Sequence, residues 1–388
     1  MIGPVGVAGA GTMGAGIAQL AALAGYETLL HDPQPEALER GLERLRADLA
    51  RGAERGRWGA DEAEAAATRV RPAAAVEDLG PAGVVVEAAP EELGLKRDLF
   101  ARLEAACGAD AVLATNTSSL SVSAIAAEAG RPERICGMHF FNPPALMKLV
   151  EVVAGESTGE PALAATVEVA ERMGRAPVRC NDAPGFIVNR CNRPYSLESL
   201  RMAGDGIATP EQIDRVVRED GGYRMGPFEL MDLIGIDVNY NVARSFFEQR
   251  PEPRWEPHPM QERMVASGRL GRKTGAGFYE YEDGKRVEAP EPDFDPELRR
   301  TVLDRLLAQL VNEGCYAADE GVAAPADIDA AMRLGLNHPR GPFEWLGELG
   351  AERVLATLDA LRDELGPDRY RPAPRLIRLG PAGLDTPA

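Results

Sequence analysis

The chain has 388 residues, 45% of them hydrophobic and 27% charged, and a formal net charge of −18. That length allows two or three domains with real cores, and that charge argues against a general binder of nucleic acid or of anionic membrane surfaces. No apolar run reaches the length of a membrane span. The opening segment MIGPVGVAGAG lacks the basic start of a signal peptide. The five cysteines form no CxxC pair, so a reducing cytoplasm and no metal are expected.

The first elements surround a glycine-rich turn. A short apolar run at 5–8 precedes Gly9-Ala10-Gly11-Thr12-Met13-Gly14, and an alanine-rich helical segment follows to about residue 23. A second apolar run at 28–30 ends at Asp32. In such a strand–turn–helix the first glycine permits the tight turn, the second lets backbone approach a pyrophosphate, and the third lets helix and strand pack closely. The helix start, at Thr12 and Met13, then faces the phosphates. Asp32, about 20 residues on, can accept both ribose hydroxyls and would repel a 2′-phosphate, so NAD is expected over NADP.

Residues 36–69 read as helices rich in arginine and glutamate, interrupted at RGAERGRWG. GVVVEAAP (83–90) is a third strand and EELGLKRDLFARLEAAC a helix. DAVLATNTSSLSVSAIA gives a strand at 111–114, a polar NTSS turn and a helix; RICGMHFFNPP gives a further strand end. This alternation predicts an α/β Rossmann-type doubly wound, mostly parallel sheet, with ligands beyond the carboxyl ends of its strands. NTSS and HFFNP both fall there. Within MHFFNPPALMKLVEVV (138–153), His139 heads an apolar run and Glu151 interrupts what otherwise reads as a buried strand. By themselves they fit either a base and its partner or a core histidine and an edge-strand charge.

The C-terminal half repeats itself. TPEQIDRVVREDGGYRMGPFELMDLIGID (209–237) matches APADIDAAMRLGLNHPRGPFEWLGELGAE (324–352) at an offset of 115, that is 324 − 209. Ile213-Asp214 meets Ile328-Asp329, Gly226-Pro227-Phe228-Glu229 meets Gly341-Pro342-Phe343-Glu344, Glu198 meets Glu313, and Asn189 meets Asp304. The expected organisation is a nucleotide domain at 1–182 followed by two all-α helical domains in tandem, at 183–282 and 297–388. The segment EYEDGKRVEAPEPDFDP (280–296), dense in proline and acids, links them.

With GAGTMG, NTSSL, HFFNPPALMKLVEVV, APGFIVNR and GPFELMDLIGID in this order, the sequence resembles the L-3-hydroxyacyl-CoA dehydrogenase family from residue 2 to about 281. In layout it is nearest the short-chain branch acting on 3-hydroxybutyryl-CoA. The resemblance implies reversible, NAD-dependent oxidation of a 3-hydroxyacyl-CoA to the 3-ketoacyl-CoA, with His139 as base and Glu151 as the carboxylate that orients it. It carries Ser118 and Asn142 over as groups near the nicotinamide and the substrate oxygen. Asn189 becomes a substrate-side asparagine, which implies a site between the nucleotide and helical domains. Glu91, Lys96 and Lys273 become cofactor contacts, so two of the chain's four lysines, Lys96, Lys148, Lys273 and Lys285, fall on such positions. Arg51, Arg55 and Arg57 occupy the helical insertion where the family binds CoA, although the family's usual lysine there has no match. Rival readings are a same-scaffold dehydrogenase of a free hydroxy acid, such as L-gulonate or carnitine, and a non-catalytic NAD-binding sensor. The tandem repeat implies an intrachain pseudo-dimer, with the second copy standing in for a partner's helical domain and the chain a monomer or weak homo-oligomer.

The reading of Asp32 is testable. Asp32→Ser should weaken NAD and improve NADP relative to it, read as kcat/KM for the two cofactors. A wild type that already uses both equally would show that Asp32 does not select between them.

Overall fold

The computed structural model describes residues 2–287 and 295–380. Part of the expected linker, 288–294, and the last eight residues of the second helical copy lie outside the described residues. The chain divides into two compact units, one ending at Phe186 and the other beginning at Ile187. Both helical copies thus fall in one unit.

The first unit runs β1 (Val5–Ala8), α1 (Thr12–Leu23), β2 (Thr28–His31), α2 (Pro35–Glu54), α3 (Ala60–Arg69), β3 (Val70–Ala73), β4 (Val84–Glu87), α4 (Leu93–Ala106), β5 (Val112–Thr115), α5 (Val122–Ala126), β6 (Ile135–Phe140), β7 (Leu149–Ala154), α6 (Glu160–Arg172) and β8 (Ala176–Asn181). Its eight-stranded sheet has the order β3-β2-β1-β4-β5-β6-β7-β8. Strands β1 to β6 are parallel; β7 runs antiparallel to β6, and β8 parallel to β7. The central strands β1, β4 and β5 are buried throughout, as expected of a sheet covered on both faces. The strand expected third, at 83–90, is the fourth in sequence. The element passed over, β3, contains Pro72, which speaks against a strand in a sheet interior. It forms at the sheet edge, where one side needs no donor.

The second unit opens with copy one: α7 (Val188–Cys191), α8 (Arg193–Gly204), α9 (Pro210–Glu219), α10 (Pro227–Ile234), α11 (Ile236–Gln249) and α12 (Pro259–Ala266). Copy two follows as α13 (Pro296–Asp319), α14 (Pro325–Leu336), α15 (Pro342–Leu349), α16 (Ala351–Leu365) and α17 (Pro374–Leu379). The repeated Asp and Gly-Pro-Phe-Glu residues do the same work twice. Asp214 accepts the Phe228 and Glu229 amides at 2.9 Å each, and Asp329 accepts those of Phe343 and Glu344 at 2.8 and 3.1 Å. A carboxylate from one helix thereby caps the N-terminus of the next, where amides lack partners. Burial nevertheless pushes the Asp214 carboxyl up to about 7, against hydrogen bonds from Tyr279, Phe228 and Glu229. Glycine is needed before the proline because a Cβ on Gly226 would stand 2.3 Å from Asp214 Cγ, and one on Gly341 2.2 Å from Asp329 Oδ1.

One core holds the two copies together. It mixes Leu197, Leu200 and Met202 with Leu306, Leu310 and Val311, each such side chain contributing about 1.5–3 kcal/mol when fully buried. Across it Arg190 Nε donates to Glu313 at 2.8 Å, and Arg305 Nε donates to Glu198 at 2.5 Å. In the repeat register Arg190 corresponds to Arg305 and Glu198 to Glu313, since 305 − 190 = 313 − 198 = 115. The two pairs are therefore one interaction made twice, the reciprocity of a two-fold interface inside a single chain. All four side chains are at most 3% exposed. Removing one partner strands a buried charge, so Glu198→Ala should cost about 3–5 kcal/mol in urea denaturation. A loss under about 1 kcal/mol, the worth of an exposed pair, would show that these pairs do not hold the copies together.

Candidate active site

At the carboxyl end of β1 the chain turns through Gly9 with φ at 114°, a backbone conformation few residues but glycine adopt. A Cβ there would lie 2.5 Å from the Ala88 carbonyl oxygen, and one on Gly14 would lie 1.8 Å from that of Gly9. Around a Cβ at Gly11, by contrast, there is nothing within 4 Å. The turn is thus closed on its own protein at two glycines and open at the third. No side chain caps α1, and Thr12 and Met13 begin it beside that opening. Asp32, at the end of β2, accepts the Ala10 amide at 2.9 Å and the Gln34 amide at 3.0 Å. An open glycine, an uncapped helix N-terminus and a carboxylate at the next strand end fit a dinucleotide's pyrophosphate and ribose.

The ends of β4, β5 and β6 are tied side by side. Glu87, the last residue of β4, is fully buried. It accepts from Lys96 Nζ and the Ala89 amide at 2.6 Å each, and from Thr115 Oγ1 at 2.7 Å. Lys96 also reaches the Ala89 carbonyl at 3.2 Å and Glu91 at 3.3 Å. Its ammonium has three donors and all three are engaged, at 1% side-chain exposure. Lys96, expected as a cofactor contact, lies behind Glu91. Glu91 accepts the Ser118 amide at 2.7 Å, the Ser118 hydroxyl at 3.2 Å and the Thr117 hydroxyl at 2.9 Å. Burial works against its ionisation, but Lys96 and these donors outweigh it and hold the carboxyl below its ordinary value. Asn116 Oδ1 accepts the Phe140 amide at 2.8 Å and so ties the NTSS turn to β6. Asn116, Thr117 and Glu87 were not among the site residues expected from the sequence. The signal for Glu87 was an acid closing the apolar run VVVE with a rare lysine nine residues on.

His139 and Glu151 face each other. The antiparallel register pairs them directly, and Nδ1 of His139 meets Glu151 Oε2 at 2.7 Å. His139 is 5% exposed and Glu151 0%. The Phe141 and Phe186 rings flank the imidazole at 4.6 and 5.8 Å. Its Nε2 makes no hydrogen bond among the described residues. An imidazole held at one nitrogen by a carboxylate and open at the other can move a proton at the second. Asn142, two residues beyond β6, is exposed.

The remaining expected residues lie in the second unit or on the helical insertion. Asn189, in α7, is half-buried and its carbonyl accepts Arg193 Nε at 3.2 Å. Lys273 donates to both oxygens of Asp237, at 2.6 and 2.8 Å. Arg51, Arg55 and Arg57 are exposed around the end of α2, Arg51 pairing with Asp48 at 3.1 Å. Among the described residues no cluster could hold a metal ion.

The family model described as 3-hydroxyacyl-CoA dehydrogenase, NAD binding domain, matches residues 4–183, and that described as 3-hydroxyacyl-CoA dehydrogenase, C-terminal domain, matches at 185–281 and at 302–385. The 3-hydroxyadipyl-CoA dehydrogenase of Escherichia coli K12 is 36% identical, with 95% of each chain covered. A probable 3-hydroxybutyryl-CoA dehydrogenase of Bacillus subtilis is 40% identical over 277 residues, 71% of this chain and 96% of its own. A crystal structure of 3-hydroxybutyryl-CoA dehydrogenase from Escherichia coli K12 matches with a TM-score of 0.91 at 35% identity, covering 99% of this chain and 98% of that one. The chain belongs to the 3-hydroxyacyl-CoA dehydrogenase family, with one NAD-binding domain and two matches to the C-terminal domain, and is an NAD-dependent oxidoreductase of 3-hydroxyacyl-CoA.

Proposed function

We propose that His139 is the general base of this oxidation and Glu151 the carboxylate that positions it. The observation that carries the reading is the 2.7 Å bond between two buried groups on paired strands. An ionised Glu151 accepts the Nδ1 proton, which fixes the tautomer and leaves the Nε2 lone pair for substrate. Bound NAD supplies the acceptor for the hydride from C3. As that hydride leaves, Nε2 takes the hydroxyl proton, and Glu151 stabilises the resulting imidazolium. In the reverse direction the imidazolium returns the proton to the ketone oxygen. Ser118, Asn142 and Asn189 supply neutral hydrogen bonds to the nicotinamide and the C3 oxygen, which favour developing charge without adding a competing one. Gly9, Gly11, Gly14, Thr12 and Met13 take the pyrophosphate and Asp32 the ribose. Glu91 holds the Ser118 turn toward the cofactor, Lys96 supports Glu91 from behind, and Lys273 is a further cofactor contact.

His139→Ala should lower kcat by roughly 10²–10⁴-fold with a smaller effect on cofactor affinity, the range for a positioned base. Glu151→Gln should lower kcat and move the pH–rate profile, because the charge supporting the imidazolium is gone. Acetoacetyl-CoA with NADH reads both variants. A His139→Ala enzyme with near-normal kcat sinks the mechanism.

We further propose that copy two takes the place of a partner subunit's helical domain, so that the chain is an intrachain pseudo-dimer, a monomer or weak homo-oligomer, with a single active site. The reciprocal Arg–Glu pairs support this reading. A reducing cytoplasm suits the five cysteines, all buried and none in a disulfide. Ending the chain after about residue 290 should expose the shared core and cause dimerisation or aggregation. Light scattering on both chains decides it: a full-length dimer held through copy one, or a well-behaved monomeric truncation, ends the proposal.

A further inference from the structure

Arg193 is a buried cation with no anionic partner among the described residues. Five arginines among the described residues are buried: Arg134, Arg190, Arg193, Arg201 and Arg305. Arg190 pairs with Glu313, Arg201 and Arg305 with Glu198, and Arg134 approaches Glu104 at 3.7 Å. Arg193, 4% exposed, has no carboxylate partner among the described residues. Its Nε donates to the Asn189 carbonyl at 3.2 Å, its Nη1 has no partner, and its guanidinium lies 5.6 Å from the Phe246 ring centre. Burial alone acts on its titration, pulling the guanidinium down to about 10. A buried charge without a counter-ion costs stability, so its retention asks for an anion that arrives from outside.

The repeat gives an internal control. Residues that serve the joining of the copies recur, as with Arg190 and Arg305, or Glu198 and Glu313. At the same offset Arg193 corresponds to Ala308, since 308 − 193 = 115, and Ala308 is itself buried. The long helix of copy two packs without an arginine there. On this turn Asn189 and Arg193 are polar residues of copy one that copy two replaces, by Asp304 and Ala308. They stand four apart across the α7–α8 junction, and the arginine side chain folds back onto the Asn189 carbonyl.

We propose that Arg193 is a specificity-determining residue that receives the terminal carboxylate of a dicarboxylic 3-hydroxyacyl-CoA, one whose acyl chain ends in a second carboxylate. This rests on the reading that Asn189 faces the acyl substrate. A guanidinium holds a carboxylate through paired, charge-assisted hydrogen bonds. Phe246 and the surrounding burial keep competing water away and strengthen the contact. A substrate of equal length ending in methyl would leave the cation unpaired and bind less well.

The test compares 3-oxoadipyl-CoA with 3-oxohexanoyl-CoA, which have the same chain length with and without the terminal carboxylate, by NADH consumption. Wild type should favour 3-oxoadipyl-CoA by on the order of 10²-fold in kcat/KM, the weight of one buried charge pair. Arg193→Met should bring the two substrates to near parity mainly by loss of the diacid, and Arg193→Lys should keep part of the preference. Should Arg193→Met fold poorly, the wild-type ratio and Arg193→Lys still decide. A wild type that turns over 3-oxohexanoyl-CoA without favouring the diacid, or that turns over acetoacetyl-CoA but neither six-carbon substrate, overturns this inference alone; one inactive on all three overturns the dehydrogenase mechanism with it. An Arg193→Met enzyme that loses both substrates equally also overturns it.

Discussion

A histidine and a glutamate can both be buried in a sheet only if each satisfies the other, and that requirement explains the one reversal in this sheet. Strands β1 to β6 run parallel, as crossover helices dictate. Had β7 continued the pattern, its pairing would have been evenly slanted rather than face to face. By returning antiparallel after the loop at 141–148, β7 sets Glu151 directly opposite His139. The partner of the imidazole is then fixed by main-chain register and does not depend on a mobile loop.

The same economy governs the neighbouring strand ends. Glu87, Lys96 and Glu91 form a graded series, from fully buried to partly exposed. Each carboxylate is held by donors from the next strand: Thr115 for Glu87, Thr117 and Ser118 for Glu91. A single buried lysine between two acids would be poorly solvated alone, and either acid would be equally so; together their desolvation is offset by close charge pairs and by hydrogen bonds to nearly every remaining lone pair. The outcome is a polar turn whose backbone is positioned from beneath.

Much of this could be read from the sequence because the relevant signals are local. The glycine turn, Asp32 and the NTSS cluster each stand out within a few residues, whereas His139 and Glu151, twelve residues apart, were joined only by the family resemblance. The Asp and Gly-Pro-Phe-Glu motif was visible as a repeat, but its reason, a carboxylate capping the next helix at van der Waals range of a glycine, needed coordinates. Where Lys96 sits was not legible, because nothing local distinguishes a lysine aimed at a ligand from one buried against an acid nine residues away. The joining pairs were half legible. Glu198 and Glu313 were matched by the offset, and the same offset matches Arg190 with Arg305, yet only the fold shows that each arginine crosses to the other copy's glutamate. Strand β3 was hidden by Pro72, whose effect depends on whether a strand is central or at the edge, a property of the whole sheet.

Joining the two helical copies in one chain changes what a substitution does. Across a two-fold interface between identical subunits, every replacement appears on both sides and must be tolerated twice. Here each side is written separately. Copy two carries Asp304, paired with Arg353 at 2.7 Å, where copy one carries Asn189. Alanine stands at 308 where copy one has a buried arginine. Because the shared core closes within one chain, it forms without the loss of translational freedom that association of two subunits entails, and its stability does not fall on dilution as that of an obligate dimer does.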